Sequence, residues 1–77
     1  MVSNMNINNN LKVVRSERNL TQEDLAVIIG VTRQTIIAIE KAKFVPSVKL
    51  AFQLALALEV PIDQLFWLEG SRGGKND

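Results

Sequence analysis

Residues 21–40 read TQEDLAVIIGVTRQTIIAIE, and the glycine at their centre divides them into two helical patterns. Upstream, the Thr21 hydroxyl can cap a helix, and Asp24 can complete a variant of the capping box. The acids Glu23 and Asp24 suit the positive end of that helix. Leu25, Ala26 and Ile29 then fall on one side at helical spacing and are expected to be buried. Gly30 allows the left-handed backbone that ends a helix and reverses the chain, so GVT reads as a turn. Downstream, Thr32 can cap a second helix whose first turn carries Arg33 and Gln34, projecting outward.

Two isoleucines stand side by side in that second helix. At about 100° per residue, Thr35, Ile36 and Ile39 gather on one side, and Arg33, Gln34, Ile37 and Ala38 on the other. If Ile36 is buried, Ile37 faces outward and needs an apolar partner of its own.

Working outward, MVSNMNINN is polar and Asn-rich and reads as an extended leading segment, residues 1–9. A first helix is expected through LKVVRSER, with Ile7, Leu11 and Val14 as its inward stripe. After the 33–40 helix, KAKFVPS breaks the pattern, because Pro46 restricts Val45 to extended geometry. Ser47 can cap a fourth helix, VKLAFQLALAL, which is apolar nearly all round and therefore predicted to be the central buried element. Pro61 opens a short fifth helix, PIDQLF, and the Gly-rich, charged residues 69–77 form an expected flexible tail. The prediction is one all-α domain over residues 10–68, a compact bundle of about five helices with room for a short terminal β-ribbon.

Composition narrows the function. A chain of 77 residues fits one small domain. With no cysteine and no histidine, it has no disulfides, no zinc site of the usual kind and no histidine or cysteine catalysis. Neither cofactor nor metal is expected, and scattered carboxylates do not converge into a catalytic group, so no enzyme is predicted. The run LAFQLALAL is too short to span a bilayer, which implies a cytoplasmic protein with no membrane partner. The formal net charge is only +1, but it is unevenly spread. Residues 31–50 carry Arg33, Lys41, Lys43 and Lys49 against Glu40, whereas residues 51–70 carry only Glu59, Asp63 and Glu69. One end is basic and the other acidic, a pattern that also fits an ordinary mixed solvated surface.

Two helices joined by a short Gly-containing turn, the second opening on long polar side chains, form the pattern of a helix-turn-helix. Many helical corners share that spacing without touching DNA. The residues themselves go further: TQEDLAVIIGVTRQTIIAIEKAKFVPS closely resembles the Xre family, the Cro and phage-repressor class, in its short stand-alone form. The chained segments TQ..LA...GV.RQTI..IE and PS..LA carry the likeness, which covers roughly residues 10–66. It implies a helix from Arg33 lying in the major groove and a helix from Gln22 crossing the backbone of double-stranded DNA. Two positions depart from the family pattern. Ala42 stands where such proteins usually carry glycine, and Glu59 replaces a common small or amide residue before Val60.

On that reading Arg33 and Gln34 contact bases, since a guanidinium can bond guanine O6 and N7 together and a carboxamide can bond adenine N6 and N7. Ile37 faces a thymine methyl, Ala38 permits close approach, and Thr35 either covers the same end or packs inward. Gln22 takes the place of the family's phosphate-binding glutamine, with Thr32, Lys41, Lys43 and Ser47 as further phosphate contacts. Arg15 and Glu40 look like the family's ion pair between the first helix and the end of the third. Phe66, Trp67 and Leu68 are the expected homodimer interface, since LFWL is more apolar than a chain end needs. The expected role is a sequence-specific repressor reading an inverted repeat. The rival is an antitoxin-like protein-interaction module on the same fold. The sequence names no small-molecule effector.

Overall fold

Hydroxyl caps fix where three of the helices begin. The computed structural model describes residues 6–69, in the order β1 (Ile7–Asn9), α1 (Leu11–Glu17), α2 (Gln22–Ile29), α3 (Arg33–Glu40), α4 (Val48–Leu58), α5 (Ile62–Leu65) and β2 (Phe66–Leu68). Thr21 Oγ1 accepts the Asp24 amide at 2.9 Å while Asp24 Oδ2 accepts the Thr21 amide at 2.9 Å, a reciprocal box that opens α2. Thr32 Oγ1 accepts the Thr35 amide at 3.2 Å at the start of α3, and Ser47 Oγ accepts the Leu50 amide at 3.0 Å at the start of α4. These caps satisfy amides that have no partner inside their own helix.

The first four helices share one way of stopping. Each is followed by a residue in the left-handed region: Asn19 (φ 60), Gly30 (φ 85), Ala42 (φ 59) and Glu59 (φ 60). The next amide then reaches back to an earlier carbonyl: Leu20 to Arg15 (3.2 Å), Val31 to Ala26 (3.0 Å), Lys43 to Ala38 (2.9 Å) and Val60 to Ala55 (3.1 Å). Gly30 is suited to its place by backbone alone, since an added Cβ there would meet nothing within 4 Å. Ala42 holds a left-handed backbone that costs a residue with a Cβ about 1–2 kcal/mol and that glycine would adopt freely.

Every helix contributes at least one fully buried side chain to a single core: Leu11, Leu25, Ile36 and Ile39, Leu54 and Leu58, and Leu65. Burying an aliphatic side chain of this size stabilises by about 1.5–3 kcal/mol. Two short strands close the fold, pairing antiparallel with Ile7 opposite Leu68, Asn8 opposite Trp67 and Asn9 opposite Phe66. Asn9 fastens this ribbon to the helices: its Nδ2 donates to the Ile39 carbonyl at 2.9 Å and its Oδ1 accepts the Leu11 amide at 3.0 Å.

Four expectations change. The fifth helix, expected over PIDQLF, ends at Leu65, and Phe66 turns extended to open β2. Ile7 lies in β1 rather than on the first helix, so the inward stripe of α1 begins at Leu11. The first helix stops at Glu17, one residue early, with Arg18 as its cap. The larger correction concerns α4. It buries Ala51, Leu54, Ala55 and Leu58 but leaves Val48 74%, Phe52 55% and Leu56 81% exposed. So small a bundle surrounds α4 on one side only, and an apolar sequence does not create neighbours on the other. Residues 1–5 and 70–77, including nearly all of the expected tail, lie outside the described residues. No helix among the described residues is long and apolar enough to cross a membrane.

Candidate nucleic-acid interface

The amphipathic split of α3 creates a polar face with a rigid back. Ile36 and Ile39 are fully buried, while Arg33 and Gln34 are exposed in the first turn and make no side-chain hydrogen bond among the described residues. Ile37 and Ala38 are half-buried, so Ile37 still offers apolar surface outside the core. Thr35 is also half-buried, and its hydroxyl lies 3.0 Å from that of Thr32, which ties it to the cap.

Behind this face stands a carboxylate joining three helices. Glu40 Oε2 accepts Arg15 Nε at 2.6 Å, and Glu40 Oε1 accepts Gln22 Nε2 at 3.1 Å and, at 3.4 Å, Arg15 Nη2. Arg15 Nη1 also donates to the Leu20 carbonyl at 2.7 Å. The two charged side chains are only 10% and 5% exposed. This pair locks the last residue of α3 to α1, and the amide of Gln22 adds α2. The orientation of the Arg33–Glu40 helix is therefore set by a bidentate, charge-assisted joint as well as by packing.

The expected phosphate contacts occupy the ends of elements around that helix. Lys41 and Lys43 are exposed on the segment after α3. Thr32 and Ser47 use their oxygens as caps; Ser47 keeps its hydroxyl hydrogen for another acceptor, whereas the Thr32 hydroxyl also bonds that of Thr35. Gln22 is half-buried with its amide turned to Glu40, so it sits at the start of α2 held by that bond. Asp24, in the same first turn, is held below its usual carboxylate value by the hydrogen bonds from the Thr21 backbone and then its hydroxyl.

Phe66, Trp67 and Leu68 do not form one patch. Strand alternation puts Trp67 on the opposite face of the ribbon from Phe66 and Leu68. Phe66 borders an apolar groove with Ile7, whereas Trp67 lines a separate cleft with Val14, Glu17 and Asp63. Three joints were not legible from the residues: Gln22 to Glu40, Asn9 to the Ile39 carbonyl, and Arg18 Nε to the Leu58 carbonyl at 2.9 Å. Each unites segments far apart in sequence, and no local pattern announces it.

A helix-turn-helix family model matches residues 11–65, from the start of α1 to the end of α5. The chain belongs to the helix-turn-helix family of the Xre/Cro type. This helix-turn-helix protein is 57% identical over 61 residues to an uncharacterized HTH-type transcriptional regulator of Methanocaldococcus jannaschii, covering 79% of this chain and 92% of the relative. Its fold is similar to that of the restriction-modification controller protein of Aeromonas hydrophila, with a TM-score of 0.66 and 28% identity over 70% of this chain and 82% of the other. The HTH_3 family transcriptional regulator of Vibrio cholerae gives a TM-score of 0.63 at 26% identity, over 70% of this chain and 30% of that larger one.

Proposed function

We propose that the protein is a sequence-specific transcriptional regulator that binds double-stranded DNA as a homodimer and represses by occupying its operator. The observation that carries this reading is α3. Its exposed first turn presents a guanidinium and a carboxamide, while its far end is fixed by the Arg15–Glu40 pair. Such a helix fits the major groove, where Arg33 and Gln34 have the donors and acceptors to distinguish guanine and adenine edges. Ile37 and Ala38 lie one turn further along the same face, and the half-exposed Ile37 gives a thymine methyl an apolar partner on this reading. Lys41, Lys43, Thr32 and Ser47 surround this face as phosphate contacts that fix register without reading sequence. Gln22 serves the interface by supporting Glu40 as well as by its place at the start of α2.

The relatives described as transcriptional regulators support the regulatory role. Two copies about a two-fold axis would place their recognition helices about 34 Å apart and require an inverted repeat with half-sites about 10 base pairs apart, centre to centre. Selection from a random duplex pool tests binding, half-site order and symmetry together. An inverted repeat is expected, and replacing Arg33 or Gln34 by alanine should each cost about 1–3 kcal/mol of affinity for it. Full affinity in a folded double variant would remove α3 from the interface.

A further inference from the structure

Val48, Phe52 and Leu56 follow one another at four-residue steps, so they form a single ridge along α4, and all three are more than half exposed. Val45, 60% exposed, extends the apolar surface into the preceding loop. Beside the ridge runs an apolar groove bordered by Val45, Pro46, Phe52, Ile62 and Phe66. We propose that this face is the homodimer interface, with α4 packed against α4 of a second copy about a two-fold axis near Phe52. The proposal deepens the dimeric reading above by naming the surface, and it moves the interface from the terminal ribbon to α4.

Three features select a second copy as the occupant. The first is shape. Ridges of four-residue spacing pack into the grooves beside an identical ridge at a crossing near −50°. A two-fold interface presents the same patch on both sides, so this one satisfies itself.

The second is charge. Lys49 lies in the first turn of α4 and Glu59 caps its end. A parallel pairing would set Lys49 beside Lys49 and Glu59 beside Glu59, whereas an antiparallel pairing about Phe52 separates like charges and leaves Lys49 of each copy about 6 Å along the helix axis from the other's Glu59. Phe52 then meets Phe52 at the centre, where aromatic anchors contribute most to binding.

The third is area. At these exposures each large apolar side chain offers on the order of 100 Å², so the ridge with Val45 supplies on the order of 400 Å². That is about half of the roughly 800 Å² that each partner buries in a standard interface. The groove wall, Lys49 and Gln53 lie beside it to supply the remainder as a rim.

The test is sedimentation of the full chain. At about 100 μM the wild type should be a dimer. Leu56→Asp should weaken dimerisation at least about 100-fold, because symmetry places the new charge on both sides. Leu56 is 81% exposed, so unchanged circular dichroism is expected for that variant. Val27→Asp is the control, since Val27 is 69% exposed on α2 and should leave the dimer intact. The chain lacks cysteine, so Phe52→Cys gives an independent readout and should oxidise to a covalent dimer much faster than Val27→Cys. A monomeric wild type, a dimer indifferent to Leu56→Asp, or equal cross-linking at both positions would overturn the assignment. The DNA reading fails separately: a dimer dissociated by Leu56→Asp that selects no duplex sequence keeps this interface and removes that function, and a monomer that reads a half-site does the reverse.

Discussion

Replacing Arg15 with alanine should strip the charge partner from a carboxylate that has almost no access to water. Glu40 is 5% exposed, and it would keep only the Gln22 amide at 3.1 Å after losing contacts of 2.6 and 3.4 Å. The Leu20 carbonyl would lose its 2.7 Å donor at the same time. Removing one member of a buried pair costs about 3–5 kcal/mol, because the other is left uncompensated. A domain of this size has a total stability on the order of 5–10 kcal/mol, so the variant should lose about 30% of it or more. At about 4–8 °C per kcal/mol, its Tm should fall by at least 12 °C. Urea titration read by Trp67 fluorescence and by circular dichroism measures the change, with the denaturant slope expected to stay constant. Arg15→Met with Glu40→Leu should recover most of the loss, since apolar groups of similar length need no charge partner. A loss below about 0.5 kcal/mol for Arg15→Ala, or a double variant as unstable as the sum of both singles, would refute the claim that this pair is a buried joint.

Ile37→Ala should weaken binding to the selected operator more than to one carrying uracil in place of the contacted thymine, a comparison that isolates one methyl group by duplex titration. Ala42→Gly should stabilise the fold by about 0.5–1 kcal/mol in urea titration, because relief of a left-handed alanine outweighs the added freedom of the unfolded glycine. Asp24 has a folded pKa depressed below its unfolded value, so its contribution is complete above about pH 5 and disappears as pH falls through the folded value. The stability difference between wild type and Asp24→Asn should therefore be flat near neutrality and narrow only in acid, as followed by thermal melts.

Local chemistry made much of the fold legible. Thr21, Gly30, Thr32 and Ser47 act within a few residues of themselves, and the structure uses each as a cap or stop. The partition of Ile36 from Ile37 needed only the helical period. The unread parts depend on distance or on the number of neighbours. Asn19, Ala42 and Glu59 end helices in a conformation that glycine alone advertises, so these stops carry a weaker signal. Asn9 reaches the Ile39 carbonyl across thirty positions, and periodicity says nothing about such a bond. For α4, composition counted apolar residues correctly but could not count the helices available to cover them. Of the candidate interface, the exposure of Arg33 and Gln34 followed from position in α3, whereas the Arg15–Glu40 pair followed from family likeness and the role of Gln22 in holding Glu40 from neither.

The exposed first turn of α3 has a consequence for inheritance as well as for binding. Arg33 and Gln34 hold no part of the core, and the charged joint that orients their helix sits at its other end. Exchanges at such surface positions usually alter stability by no more than about 0.5 kcal/mol. On the proposed reading of α3, descendants of this chain are therefore free to trade one DNA vocabulary for another without first acquiring compensating changes in the interior. Lineages sharing this scaffold should diverge in their target genes faster than in their architecture, and an engineer redirecting the protein should begin with a library at 33, 34 and 37 while leaving 15, 22 and 40 untouched.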